Sequence, residues 1–183
     1  MGTTYDRSDK EWKCVAAIVP PYGDLTSPQS WHRTCKNACM SDGLLRLCPA
    51  CGATNRIPAL RLADRGRCGA CKQPLSPLDV PLDADPQTFD AILGAAKVPI
   101  LVDFWAAWCG PCRSAAPEVS AVAQEMAGRA IVLKVDTERY PEIAARYHVQ
   151  GIPNFVVLRN GKLVRQSAGV TPRAEMKRWL ESA

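Results

Sequence analysis

Val98-Pro99-Ile100-Leu101-Val102-Asp103-Phe104-Trp105-Ala106-Ala107-Trp108-Cys109-Gly110-Pro111-Cys112 is the stretch on which the fold of this chain turns. Val98 to Trp105 is an apolar run interrupted once, by Asp103, and suits a strand buried on both faces. A helix is expected from about Cys109 to Ala127, with Pro117 inside it as a kink. Cys109 then stands at a helix N-terminus, where unpaired N–H groups and the helix dipole favour a thiolate. Only a thiolate attacks a disulfide. The two-residue spacer puts Cys112 one turn further on, close enough to close a disulfide with Cys109. Gly110 allows the tight approach and Pro111 stiffens the turn. The alternative, half of a zinc site, lacks a second pair nearby, because no cysteine lies C-terminal to Cys112. A strand–helix junction favours redox chemistry. A carboxylate inside an apolar strand has a raised pKa, so Asp103 could exchange protons near neutrality. The competing role for Asp103 is a structural carboxylate satisfied by backbone donors.

Outward from this stretch the pattern alternates between helix and strand. Asp85-Pro86 reads as an N-cap with proline at the first helical position, opening a helix to about Ala96. Ile131 to Val135 is a second strand and Pro141 to Tyr147 a short helix. Asn154 to Leu158 and Lys162 to Ser167 flank Asn160-Gly161, a type I′ hairpin signal. Thr171-Pro172 caps a last helix carrying Met176, Trp179 and Leu180 on one face. The order predicts an α/β fold, a mixed central sheet with helices on both faces. Roughly 100 residues suffice for its core.

Residues 102–112, then Pro117, Gly151-Ile152-Pro153, Asn160-Gly161 and Gly169, resemble the thioredoxin family over about residues 80–183. The resemblance implies a thioredoxin fold and a protein-disulfide reductase. It implies Cys109 as nucleophile, Cys112 as resolving thiol, and Asp103 as the carboxylate that passes a proton to or from Cys112 through water. It implies a cis bond before Pro153, which would face the cysteines and offer the Ile152 backbone to an extended substrate. Trp108, Gly110, Pro111, Ile152, Pro153 and Gly169 would form a flat apolar rim that docks disulfide-containing proteins. It also implies an NADPH-dependent thioredoxin reductase as the recycling partner, and no bound organic cofactor. Some members place a lysine near the buried aspartate. Lys134 cannot be aligned to it from sequence and stays outside the expected site.

Cys48-Pro49-Ala50-Cys51 and Cys68-Gly69-Ala70-Cys71, sixteen residues apart, have the spacing of a four-cysteine zinc site. Each pair makes a turn pointing two sulfurs inward, and two turns complete a closed, structural tetrahedral centre. Between them, Asn55 to Leu62 suits a short hairpin. A unit this small, with no aromatic residue and few large aliphatics, needs the metal to fold. Residues 40–80 carry six basic and three acidic side chains. Four thiolates and one Zn²⁺ reduce that excess to about +1, a weak footprint for nucleic acid. With no Phe, Trp or Tyr there is no platform for stacking bases. A ribbon followed by a thioredoxin domain resembles the two-domain bacterial thioredoxins of the thioredoxin 2 type from Met40 to the end, including Asn55-Arg56-Ile57-Pro58 and Arg61-Leu62-Ala63.

The expected organisation is a ribbon over 40–73, an extended linker over 74–85 and a thioredoxin domain over 86–183. Prolines 74, 77, 81 and 86 mark the linker. Its separation of the two cores predicts that metal removal unfolds the ribbon alone. Residues 1–39 show no period and match no family. Cys14, Cys35, Cys39 and His32 fit no closed metal pattern. The segment reads as a disordered tail or, with translation starting at Met40, a misassigned extension.

Of the 183 residues 47% are hydrophobic and 22% charged, with a formal charge of +5, an ordinary globular balance that excludes wholesale disorder. No run nears the ~20 residues of a membrane span. Val15 to Val19 is too short for a signal-peptide core and Pro20-Pro21 follows it. Nine cysteines, an odd count, point to metal ligands and redox thiols in a cytoplasmic protein instead of a disulfide framework. Electron transport through the dithiol is the expected work. The competing class is a zinc-ribbon adaptor, or a nucleic-acid-binding module, whose thioredoxin domain only docks a partner. An oxidase or isomerase is the third reading; the Gly-Pro spacer resembles reductases.

Overall fold

The computed structural model describes residues 43–183. The expected tail over 1–39, its three cysteines and the Met40 start lie outside the described residues. The chain runs β1 (Gly43–Leu47), β2 (Thr54–Pro58), a 3-10 turn (Ala59–Arg61), β3 (Gly66–Arg67), β4 (Pro74–Leu75) and β5 (Leu82–Asp83). It continues with α1 (Pro86–Ala95), β6 (Ile100–Trp105), α2 (Gly110–Glu125), β7 (Ile131–Asp136), α3 (Pro141–Arg146), β8 (Asn154–Arg159), β9 (Lys162–Ala168) and α4 (Arg173–Glu181).

Five strands form one mixed sheet in the order β5-β7-β6-β8-β9. β6 is parallel to β7 and antiparallel to β8, so the strand preceding the two cysteines is paired on both edges. The sheet separates two apolar layers. Ile100, Val102 and Phe104 face α1 and α3 with Phe89, Ile92 and Ile143, whereas Leu101 faces α2 and α4 with Val119, Met176 and Trp179. That is why β6 reads as an unbroken apolar run: both faces are covered. The hairpin reading at Asn160-Gly161 holds, both residues having positive φ, 50° and 75°.

Asp85 caps α1, its carboxylate accepting the Thr88 N–H at 2.7 Å, with Pro86 at the first position. The cap of α4 differs from expectation. Pro172 holds the N-cap position without a side-chain bond, and the Thr171 hydroxyl donates to Gly169 O instead. A carboxylate from another helix takes over: Glu118 of α2 accepts the Arg173 N–H at 3.0 Å. Glu125, the last residue of α2, pairs with both Arg173 and Lys177. The two helices are thereby tied along the same face of the sheet.

The ribbon also differs in detail. Its hairpin pairs β1, which precedes the first cysteine pair, with β2, in register Leu47↔Thr54 to Gly43↔Pro58. The expected hairpin over Asn55 to Leu62 is therefore only half strand, because the chain turns into a 3-10 turn after Pro58. The stretch 74–85 is packed against the rest of the chain. Pro74–Leu75 pairs with β3, and Leu82–Asp83 adds an edge to the main sheet. Leu78 N donates to Leu62 O at 2.7 Å, and Ala59, Leu62 and Leu78 are buried in one cluster with Phe89 and Ile92 of α1. The expected separation of two cores does not occur: a proline-rich strand can lie flat against a partner, and its leucines supply the apolar contact. Gly128, at φ +81°, sits where a Cβ would meet Ala63 O and Pro77 Cγ at 3.4 Å. Gly128 precedes β7, so the ribbon abuts the end of the sheet where the parallel strands begin. Among the described residues no helix is long and apolar enough to cross a membrane.

Candidate functional site

At the other end of β6 the chain leaves the sheet through Ala106-Ala107-Trp108 and enters α2 with Cys109 as N-cap. Cys109 and Cys112 are joined as a disulfide, their Cα atoms 5.3 Å apart. Cys112 N donates to Cys109 Sγ at 3.1 Å, so the sulfur itself fills the capping role that Ser or Asp takes elsewhere. Both cysteines are buried in one cluster with Ala106, and Trp105 and Ile152 pack alongside. Trp108 stands 67% exposed beside them.

The expected rim residues come together from three segments. The Ile152–Pro153 bond is cis, and Ile152 packs against the cysteine cluster. Gly169 N donates to Pro153 O at 2.8 Å with φ +91°, which brings the loop after β9 beside the loop before β8. Trp108, Pro111 and Gly169 are exposed, Gly110 and Ile152 half-buried, and Pro153 is buried beneath them. Val170, absent from the expected set, adds an exposed apolar side chain next to Gly169.

Asp103 lies on the face of β6 that α2 covers, by the strand's alternation from Leu101. It is 2% exposed and, among the described residues, its Oδ1 has no hydrogen-bond partner. Burial pushes its carboxyl up to about 7, and the Lys134 ammonium pulls the other way without cancelling that effect. The structural role satisfied by backbone donors is thus not what this oxygen shows. Lys134 sits opposite Asp103 in the β6–β7 register. It is the charged neighbour that sequence could not align, since only strand pairing identifies which residue faces Asp103.

The four ribbon cysteines converge. Cys48 and Cys71 Sγ atoms lie 3.7 Å apart, as do those of Cys51 and Cys68, and all four lie within 4.8 Å of one another. A tetrahedral Zn²⁺ with bonds of about 2.3 Å needs sulfur–sulfur edges of roughly 3.8 Å. The residues present fit that ion. Cys48 and Cys68 are buried, Cys51 and Cys71 exposed. The two turns match: Gly52 and Lys72, each directly after its second cysteine, have φ +71° and +62° and donate their N–H to Cys48 O and Cys68 O. A backbone bond at Cys71 holds the Cys68 thiol down to about 6 despite its burial. The Gln73 backbone favours the Cys71 thiolate, but the neighbouring Cys51 thiol, partial loss of water and the other two thiols push it up to about 12.

Residues 80–182 match the Thioredoxin family model, and residues 47–73 match the model described as Thioredoxin 2, N-terminal. Thioredoxin C-3 of Corynebacterium nephridii is 35% identical over 138 residues, 75% of this chain and 94% of that protein. Thioredoxin 1 of Chlorobaculum tepidum is 42% identical over 97 residues, 53% of this chain and 96% of its own length. A solved structure, a mutant thioredoxin from Halobacterium salinarum NRC-1, superposes with TM-score 0.54 at 30% identity, covering 57% of this chain and 91% of that one. These relatives are thiol–disulfide oxidoreductases, and this chain carries a disulfide at the head of α2 beside a cis-proline loop. With both family models matched in order along one chain, this protein belongs to the thioredoxin family and carries the ribbon of the thioredoxin 2 type ahead of its catalytic fold.

Proposed function

We propose that the chain reduces protein disulfides through Cys109 and Cys112. The observation that supports this most is the seat of Cys109 Sγ at the N-terminus of α2, facing the Cys112 N–H. In the dithiol form the same N–H and helix end favour a Cys109 thiolate. That thiolate attacks one sulfur of a substrate disulfide, the substrate S–S bond breaks, and the second sulfur leaves as a thiolate. Asp103 accepts the Cys112 proton through water, and the Cys112 thiolate attacks Cys109 Sγ. The mixed disulfide breaks, the Cys109–Cys112 disulfide forms, and the first substrate sulfur is released. Two electrons pass to the substrate, whose two thiolates are protonated by Asp103 and by solvent. An NADPH-dependent thioredoxin reductase returns the electrons. The rim of Trp108, Gly110, Pro111, Ile152, Pro153 and Gly169 docks the extended substrate, with Ile152 offering its backbone.

The ribbon, over residues 40–73, holds a structural Zn²⁺ through Cys48, Cys51, Cys68 and Cys71; a closed four-thiolate site leaves no position for substrate. A reductase of this kind works in a reducing compartment, the cytoplasm. Reduction of insulin disulfides with reductase and NADPH tests the reading. Cys109→Ser is expected to abolish turnover, and Cys112→Ser to accumulate the mixed disulfide. Undiminished turnover in Cys109→Ser would overturn the exchange mechanism and favour the docking adaptor.

A further inference from the structure

We propose that Asn55 governs how tightly the four-cysteine centre holds its ion, by linking the two cysteine turns and donating a hydrogen bond to Cys68 Sγ. This rests on the reading of the centre as a zinc site. The backbone of each turn closes on itself: Cys48 N donates to Ala53 O at 2.9 Å in the first, and Cys68 N to Gln73 O at 2.9 Å in the second. Asn55 crosses between them. Its Nδ2 donates to Ala53 O of the first turn at 2.9 Å and to Cys68 Sγ of the second at 3.5 Å. Its Oδ1 accepts the Gly69 N–H of the second turn at 2.8 Å. Both amide hydrogens and the carbonyl are engaged. Asn55 is itself held by β-pairing opposite Arg46, so the side chain projects from a fixed backbone.

An ion leaves a four-thiolate site when a sulfur lets go of it. A donor aimed at Cys68 Sγ stabilises the thiolate against that step, and the Gly69 bond keeps the second turn at its distance from the first. Partners of this kind usually change metal affinity by about 10–100-fold when removed. Asn55 is thus a positioning residue for the metal centre, outside the four ligands.

The full chain, loaded with zinc, is mixed with a chromogenic chelator in excess, and the release rate is followed for wild type, Asn55→Ala and Asn55→Asp. Asp keeps an oxygen for Gly69 N but has no donor and puts a negative charge beside Cys68 Sγ. Release at least about ten-fold faster in both variants, or their isolation without metal, is the expected result. Rates within two-fold of wild type in Asn55→Ala would overturn the proposal. A wild-type rate in Asn55→Asp would also overturn it, because linkage without donation would then suffice. Wild type isolated without stoichiometric zinc would instead sink the reading of the centre on which this rests.

Discussion

Asp103 and Lys134 stand opposite one another on β6 and β7, yet the ammonium does not neutralise the carboxyl. Lys134 Nζ lies 4.0 Å from the centre of the Trp105 ring and 4.0 Å from Asp83 Oδ1, so its charge is shared outward. Burial therefore wins and raises the Asp103 carboxyl to about 7, the range that would suit the proton acceptor proposed above.

Among the described residues, Lys134 is the charge that lowers that pKa, and Lys134→Met removes it. The expected outcome is an alkaline displacement of the pH midpoint for disulfide reduction, with slower turnover at neutral pH. Rates followed from about pH 5.5 to 9, a range that brackets the titration, check it; an unmoved or more acidic midpoint would contradict it.

The same carboxyl makes stability depend on pH. Its folded pKa is above the unfolded value of 3.8, so the folded chain binds the extra proton between about pH 4 and 7. This group's cost is absent below pH 4, grows as pH rises through that window, and is complete above 7. The shift from 3.8 to about 7 corresponds to on the order of 4 kcal/mol. Asp103→Asn should therefore be more stable than wild type at about pH 8 and lose that advantage towards pH 4, while exchanging disulfides at least about 100-fold more slowly at neutral pH. Urea unfolding at the two pH values, together with single-turnover reduction, tests both halves. Equal stability differences at the two pH values would refute the linkage.

Leu62 belongs to the ribbon in sequence but packs with Phe89 and Ile92 of α1. Leu62→Ala is expected to destabilise the catalytic fold by about 2–5 kcal/mol. Chelating the ribbon metal should likewise lower the temperature at which near-ultraviolet tryptophan signals melt, since in the described residues every tryptophan lies beyond residue 104. An unchanged melt after complete metal removal would show the two parts to be energetically independent.

Gly169 needs its positive φ to place its N–H on Pro153 O. Gly169→Val forces a β-branched residue into that region at a cost of about 1–3 kcal/mol. The loop should shift and weaken substrate docking. A higher KM for a protein disulfide, with little change for a small-molecule disulfide, is the expected pattern; an equal loss for both would place the fault at the cysteines instead.

Much of this was legible in the residues. β6, α1, α2 and the β8–β9 hairpin follow from long apolar runs, a clear cap and an Asn-Gly turn, signals that are local. The two-residue strands β3, β4 and β5 carry no period, and exist only because a distant partner satisfies their backbone. Asp103 was visible as the polar exception in an apolar strand, whereas Lys134 required strand register. The cap on α4 could not be read, because Glu118 lies fifty-five residues from the N–H it accepts. Asn55 was visible as part of a motif, but its three bonds depend on how the two cysteine turns meet.

The docking of Leu62 and Leu78 under α1 bears on how this architecture can be taken apart or recombined. A ribbon transplanted onto another member of the fold would arrive without a receptacle for its leucines. A catalytic half expressed from Pro86 would lack the edge strand β5 and leave apolar surface at Phe89 and Ile92 open to water. Such a truncation invites aggregation, and chimaeras between relatives should be joined ahead of β1, where the shared core is left whole.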